Sequence, residues 1–529
     1  MCGGALAFNM LAVLALLALL AMNGLGYFWQ RPLTLLTLRE GGRVLGEIHQ
    51  REAIPGAQDA EGQPAMRLQL KVGNRDVTGV DFRWIDEQDI LERSHPDDAV
   101  VLERLEWGNY YGFPVAIQGA AGVLATEPDQ IWALLPALHD RKRSEHAAIH
   151  ALEAGEMDDV NAELEELRLA RRRLALRELP VAERSHREAA LDRQRAELDA
   201  RHEQLATQLL GMRERVLVET LVLETADGSQ TTVPVGNIVR FLRPNSMDRI
   251  ETLGLYASRA WEFVWGEPRE SNTEGGVFPA LFGTVMMVFI MSFVVTPFGV
   301  LAALYLREYA KQGPLVRIVR IAVNNLAGVP SIVFGVFGLG FFVYMVGGTI
   351  DQLLHPEVLP TPTYGTGGIL WASLTLALLT VPVVVVATEE GLAAVPRSIR
   401  EGSFALGATK FETVWRVIIP ASAPAILTGM ILAMARAAGE VAPLMIVGMV
   451  KLAPSLPIDG RFPFVHLERK FMHLGFHIYD VGFQSPNVDA TTPLVFATAL
   501  LLVTVVTLMN LSAIGLRNYL RRRYASSPF

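Results

Sequence analysis

At 529 residues, 51% of them hydrophobic and with a formal net charge of −8, the chain is too apolar for an average soluble protein and long enough for two domains. The charge has no functional meaning until it is divided between two sides of a membrane. The single cysteine, Cys2, excludes an intrachain disulfide and a cysteine-based zinc site, and no apolar lipoprotein-type signal precedes it.

Residues 5–28 are an uncharged apolar run long enough to cross a bilayer, closing on Tyr27, Phe28 and Trp29, residues that suit the membrane interface. With no basic n-region and no small-residue cleavage site, the segment 1–30 reads as a membrane anchor rather than a signal peptide. Residues 31–270 then read as a soluble α+β insert. Short alternating runs between 33 and 115, broken by Gly, Pro and Asn-Arg-Asp, predict a small antiparallel β unit. From 141 to 215 leucines punctuate a charge-rich stretch, and Leu179-Pro180 divides it into two helices of a coiled-coil hairpin. Each arm would be roughly 50 Å long at 1.5 Å per residue. After it, the Asp227-Gly228 step sits between two β-prone runs and predicts a hairpin returning to the β unit. The expectation is one β module interrupted by a helical rod.

Five further apolar runs, at 277–304, 318–346, 367–388, 423–450 and 492–515, bring the expected spans to six and make residues 271–529 an α-helical polytopic membrane domain. Lys and Arg crowd the loops 307–320 and 389–422 and the tail 517–524. The positive-inside rule then puts both termini in the cytoplasm and the insert 31–270 on the outer face, periplasmic where there is an outer membrane.

Two stretches carry chemistry. In PRSIREGSFALGATKFETVWRVIIP (396–420) a helix opens at Pro396 and ends at Gly407. A second helix places Phe411, Val414, Trp415 and Ile418 on one apolar stripe, with Lys410, Glu412 and Arg416 off it, and Pro420 closes the unit. Two such helices between spans make a surface that can dock into another protein's groove; the plainer reading is an ordinary amphipathic loop. In the fifth span Arg436 and Glu440 stand at i and i+4, one face of a helix at bilayer depth, where a charge costs about 2.5–3.5 kcal/mol and tends to mark a pathway. Arg436 is the candidate to meet an anionic substrate, with Glu440 neutralising it at rest; a structural ion pair between subunits is the alternative. In the third span Asn325 and Ser331 add polar atoms beside Pro330, for packing or pore lining.

The spacing Glu401, Gly407 and Ile418-Ile419-Pro420 resembles the coupling (EAA) loop of ABC-importer permeases, with Gly402 and Ser403 where that family usually has alanines. The segments SNTEGGVFPALFGTV (271–285), TPFGVLAALYLREYA (296–310), GVPSIVFGVF (328–337) and ARAAGEVAPL (435–444) resemble the PstA-type permease subunit of the bacterial phosphate ABC importer. The resemblance covers about 271–515 and leaves out the insert, which replaces a short loop in that family. It implies an inner-membrane permease, not an enzyme, that forms half of a phosphate pathway. It also implies partners: a PstC-type sister permease, two copies of a PstB-type ATPase, and a soluble PstS-type phosphate-binding protein. ATP would be used by the ATPase and no cofactor held by this chain. Glu401, Gly402, Gly407, Lys410, Ile418 and Pro420 would form the coupling surface, and Arg436 and Glu440 match the charged pair associated with transport. Another oxyanion is the first alternative; a membrane-anchored scaffold or sensor working through the insert is the second.

Three near-matches carry no function. Gly402 to Gly407 has the glycine spacing of a phosphate loop, but Ala408 stands where the lysine is needed and no strand precedes it. His473 and His477 lack the glutamate of a zinc-protease helix and a third ligand, so no metal is expected. The arginine runs 171–173 and 521–523 do not require nucleic acid.

Overall fold

The uncharged run that opens the chain forms α1 (Cys2–Gly26), and after Phe28 the pattern changes from helical to alternating. The computed structural model describes residues 2–58, 62–485 and 488–525. Side chains of Cys2 and of the arginines 521–523 lie outside the described set. Contacts divide the chain into two units: Phe28–Glu262, and a membrane unit holding the chain up to Tyr27 and from Phe263 onward.

In the first unit, β1 (Leu33–Leu38), β2 (Arg43–Gln58), β3 (Pro64–Lys71), β4 (Phe82–Asp86) and β5 (Ile90–Ser94) form an antiparallel sheet in the order β4-β3-β2-β1-β5. A four-residue helix, α2 (Arg75–Thr78), links β3 to β4, and a single 3-10 turn, Glu87–Asp89, precedes β5. A second sheet contains β6 (Val100–Arg104), β7 (Tyr110–Gly119), β8 (Gly122–Ala125), β9 (Thr220–Glu224), β10 (Gln230–Pro234) and β11 (Ile238–Leu242). Its order is β10-β9-β7-β6-β11, with β8 hung on β7, and a 3-10 turn, Val235–Asn237, precedes β11.

The two sheets are the same object built twice. Leu36 faces Val44 as Leu102 faces Tyr110, Glu47 faces Lys71 as Phe113 faces Glu224, and Ile85 faces Leu68 as Val233 faces Leu221. Even the irregularities agree. The β2–β3 register slips between Ile48 and Gln50, and the β7–β9 register between Pro114 and Ala116. The closing strand slips against Thr37/Leu38 in one copy and at Ile238/Arg240 in the other. Gly46 and Gly112 occupy the same place: a Cβ would lie 2.3 Å from the Lys71 carbonyl oxygen in one and 2.6 Å from that of Glu224 in the other. The expected single β module is therefore two copies. They meet through equivalent residues, since Leu33, Leu45, Ala99, Val101 and Tyr111 share one buried cluster.

The rod enters the second copy between β8 and β9, where the first copy has only the β2–β3 connection. It begins at α3 (Pro128–Leu152), earlier than the expected 141, continues through a π-turn (Glu153–Met157) into α4 (Asp158–Leu176), and returns as α5 (Val181–Val216). The early start escapes a composition reading because Ile131, Leu135 and Leu138 are apolar core residues packed with Leu102, Ile117 and Leu221. Beyond them the arms bury few residues, among them Val160, Leu174 and Leu205. Exposed pairs such as Arg171–Asp192 (3.1 Å) and Arg213–Glu153 (2.6 Å) cross between the arms. Each is worth at most about 1 kcal/mol. α6 (Arg249–Trp265) closes the insert.

In the membrane unit, six helices among the described residues are long and apolar enough to cross a bilayer. α7 (Phe278–Leu304) ends in a π-turn, Tyr305–Tyr309, and is followed by α8 (Pro314–Leu326). α9 (Ser331–Phe337), a π-helical stretch (Gly338–Gly347) and α10 (Gly348–Leu354) form one span, and α11 (Ile369–Ala394) forms the next. α12 (Arg397–Ala405) stands apart, whereas α13 (Lys410–Thr413) runs through a π-turn (Val414–Ile418) into α14 (Ile419–Gly439) as a single span. Short α15 (Ala442–Val447) and α16 (Leu474–Tyr479) precede α17 (Val488–Ala525). The core lies among α7, α11 and α14, where Met287, Met291, Leu376, Val384, Ala433 and Ala437 are buried.

Two expected boundaries are wrong for reasons of proline chemistry. The third span begins at Ser331, not 318, because Pro330 lacks an N–H and the Gly328 N–H closes a turn on the Asn325 carbonyl at 3.0 Å. Pro420 does not end a helix. It sits just after the π-turn, in the first turn of α14, and the helix passes through.

Because the distal rod buries little, a chain in which residues 156–203 are replaced by a short Gly-Ser turn should keep the melting transition of the intact insert to within a few degrees. Differential scanning calorimetry of the two full-length chains in detergent measures this; loss of the transition would mean the arms hold the β copies together.

Candidate functional site

Pro443 decides where the fifth span stops. A proline ring clashes with the carbonyl four residues earlier, which is that of Gly439, the last residue of α14. Glu440 is extended (φ −82°, ψ 131°), and the chain resumes helically only at Ala442. Arg436 and Glu440 therefore do not share one helical face at mid-span, as the spacing predicts; they straddle a helix end. Arg436 occupies the last turn of α14, where a cation is favoured by the helix dipole. Its Nε lies 3.6 Å from Glu440 Oε1, beyond hydrogen-bonding distance, with 35% and 20% of the two side chains exposed. A half-open guanidinium beside a loosely held carboxylate can exchange that carboxylate for an external anion.

The other two pathway candidates fall elsewhere. Asn325 is exposed on α8, outside the span, and Ser331 is the first residue of α9. What approaches the break is Gly335: a Cβ there would lie 2.7 Å from Pro443 Cα, so α9 and the start of α15 touch backbone to backbone.

The coupling-loop candidates form a built structure. Gly407 has φ +86° and ends α12 in a Schellman motif, its N–H donating to the Phe404 carbonyl (2.9 Å) and that of Ala408 to Ser403 (3.2 Å). Thr409 then starts α13 with a capping box, its hydroxyl accepting from the Glu412 N–H at 3.2 Å while its own N–H donates to Glu412 Oε2 at 3.0 Å. The expected apolar stripe splits in two. Val414 and Ile418 are buried beneath the loop, whereas Phe411 and Trp415 are exposed and stacked 6.1 Å apart. Glu401 and Gly402 are exposed, Pro420 is half-buried, and Leu406 at the tip is 90% exposed.

Sequence reasoning missed what holds this loop. Glu308, in the π-turn after α7, is only 11% exposed and pairs with Arg400 at 2.6 Å. Arg400 also donates to the Leu392 carbonyl at 2.5 Å. Lys410 donates to the Glu308 backbone oxygen and lies 4.8 Å over the Tyr309 ring. Both helices of the loop thus grip the end of one span. The charge count of the 307–320 segment hid Glu308 among basic neighbours.

The loop before the last span is the other polar feature. His473 caps α16, its Nδ1 accepting from the Gly475 N–H at 3.0 Å, and His477 is 3% exposed. Burial pushes both imidazoles down to about 4, so both are neutral at pH 7. Lys451 pairs with buried Asp480 at 3.1 Å nearby. Among the described residues no group of three or more His, Cys, Asp or Glu could hold a metal.

Residues 295–526 match the family of binding-protein-dependent transport system inner membrane components. The match takes in α12, α14 and the loop between them, and the relatives this segment resembles are transport components rather than enzymes. Its resemblance is to PstA. The phosphate transport system permease protein PstA of Mycobacterium leprae is 37% identical over 172 residues, 32% of this chain and 51% of that protein. A probable ABC transporter permease of Bacillus subtilis, YqgH, is 30% identical over 194 residues, 36% of this chain and 59% of that one. The phosphate permease protein PstC of Xylella fastidiosa is 30% identical over 222 residues, 40% and 66% of the two chains. The chain thus spans about half to two thirds of the length of these relatives.

Reversing either charge of the Glu308–Arg400 pair, by Glu308→Arg or Arg400→Glu, should raise amide exchange in 397–413 by about tenfold or more, and the double exchange should restore protection. Hydrogen-exchange mass spectrometry of the purified chain reads this; equal exchange in all forms would remove the pair as the anchor.

Proposed function

We propose that this chain is one permease subunit of an ATP-driven importer of inorganic phosphate, forming half of the translocation pathway. The observation that carries the reading is Arg436. It is a guanidinium in the last turn of α14, where the fifth span stops, held by its carboxylate at 3.6 Å rather than in a closed hydrogen-bonded pair. A doubly acceptor-rich oxyanion satisfies a guanidinium better than a distant carboxylate does. Similarity to proteins named for phosphate transport supports the choice of anion.

On this reading the loop 389–422 and both termini face the cytoplasm, and the insert faces outward. Phe411, Trp415 and Leu406 are the exposed apolar groups that a PstB-type ATPase would cover. A PstC-type sister subunit would close the open side of Arg436, and a PstS-type binding protein would deliver the anion. The chain itself binds no nucleotide. ATPase movement enters through α12 and passes to α7 by way of Arg400 and Glu308.

A charge-assisted hydrogen bond to a buried anion is worth about 1.5–3 kcal/mol, so Arg436→Ala should lower phosphate uptake about 10- to 100-fold in the assembled complex. Radiolabelled phosphate uptake, in cells lacking another high-affinity system and with sulfate as competitor, measures it. Full uptake by a well-expressed mutant would sink the pathway role, and strong competition by sulfate would change the anion. Gly407→Val forces a β-branched residue to φ +86°, at about 1–2 kcal/mol or more. Uptake per ATP hydrolysed should fall while basal ATPase persists; an unchanged ratio would reject the loop as the coupling element.

A further inference from the structure

Asp248 starts α6 with a capping box, accepting from the Glu251 N–H at 2.7 Å while its own N–H donates to Glu251 Oε2 at 3.0 Å. One face of the helix is committed to the insert. Leu255 is buried, and Tyr256 packs edge-on against Phe28 at 5.9 Å. Arg259 donates to Gln30 Oε1 at 2.7 Å and also holds Glu103, which bonds Arg240 at 2.6 Å; Arg240 in turn reaches Glu262 at 2.9 Å. That network fixes the rotation of the helix.

The opposite face is uncharged and exposed to solvent. Ile250, Leu253, Ala257 and Trp261 recur at i, i+3, i+7 and i+11, a single stripe, and Ile250, Leu253 and Trp261 are 80%, 61% and 68% exposed. Trp29 adds to it: it is 51% exposed and its ring lies 6.2 Å from that of Tyr256. Water is a poor solvent for two tryptophans and two aliphatic side chains in a row, and their burial would be favourable.

We propose that this stripe lies on the bilayer, as an in-plane interfacial helix whose occupant is the lipid headgroup and acyl boundary. Chain continuity is the argument for lipid over protein. Trp29 stands three residues after the end of α1 at Gly26, and with consecutive Cα atoms about 3.8 Å apart it lies within roughly 11 Å of that end, which keeps it near the membrane boundary. Tyr256 ties α6 to that same level. Tryptophan is the residue enriched at such interfaces, and an apolar stripe backed by a charged face is the pattern of helices that lie in the plane. The proposal needs only that α1 spans the membrane and is independent of the transported solute.

The test uses the full chain in lipid nanodiscs, with Cys2→Ser removing its only native cysteine. Nitroxide labels are placed at Leu253→Cys, Ala257→Cys and Trp261→Cys, with Arg249→Cys on the flank and Arg193→Cys on the rod as water controls. Collision with oxygen is compared with collision with a water-soluble nickel chelate. The logarithm of the ratio should be positive at the three stripe positions and negative at both controls. Equal nickel access at all five, or shielding of the stripe from both reagents, would overturn the proposal; the second result would indicate a protein partner. In a parallel measurement with native side chains, brominated phospholipid should quench tryptophan emission less in Trp261→Phe than in the unmutated chain. Identical quenching would count against lipid contact.

Discussion

Inside hydrocarbon there is no water to bond a stray N–H or carbonyl, and the membrane unit is arranged by that constraint. Its spans absorb irregularity without opening the backbone. Extra residues are taken up as π-turns at Tyr305–Tyr309, Gly338–Gly347 and Val414–Ile418. The fifth span ends at Gly439; Glu440 and Val441 leave helical geometry before α15 begins, and Pro443 compels it. A break of this kind is tolerable where it faces protein or a wet cavity. Arg436 sits there because the same break that frees carbonyls also gives a cation a favourable end of helix, so the stability of the span and the chemistry of the site have one cause.

The insert solves a different problem. One such sheet has little core of its own, and two copies placed together bury residues that each would otherwise expose. Tyr111 and Leu45 do this from equivalent positions. The second copy gains further from Ile131 and Leu135 of α3, fully buried against its sheet. Its rod is thus two things: a proximal part that belongs to the core, and distal arms that bury few residues.

The sequence showed the spans because runs of about twenty apolar residues have few other uses, and the loop around Gly407 because glycine there has one conformational meaning. It misplaced boundaries at Pro330, Pro420 and Pro443, where the same residue in turn precedes a helix, sits in its first turn, or breaks it; only the neighbours decide. It put Asn325 inside a span because α8 continues an apolar run whose hydrophobic side chains lie on one face. The duplication was invisible for another reason. It resides in which residues face one another, and Val44 against Tyr110, or Leu38 against Arg104, share a position without sharing chemistry. The clasp of Arg400 on Glu308 joins residues distant in sequence and has no local signature at all.

Two modules of one topology in one chain expose the nascent protein to a particular error. A strand of one copy offers the hydrogen-bond ladder that the other copy expects, so exchange between them is a natural kinetic trap. Backbone pairing cannot tell the copies apart, and discrimination falls to side chains. At the Val44 and Tyr110 positions an aromatic ring beneath one sheet is replaced by a small aliphatic group beneath the other, and buried Arg104 with its Asp76 partner at 2.8 Å has an aliphatic counterpart in Leu38. A swapped strand would bring a ring into a space sized for valine, or strand a guanidinium without its carboxylate. Divergence between the copies thus guards the folding route, and engineering them back toward one another would raise the yield of misassembled chains.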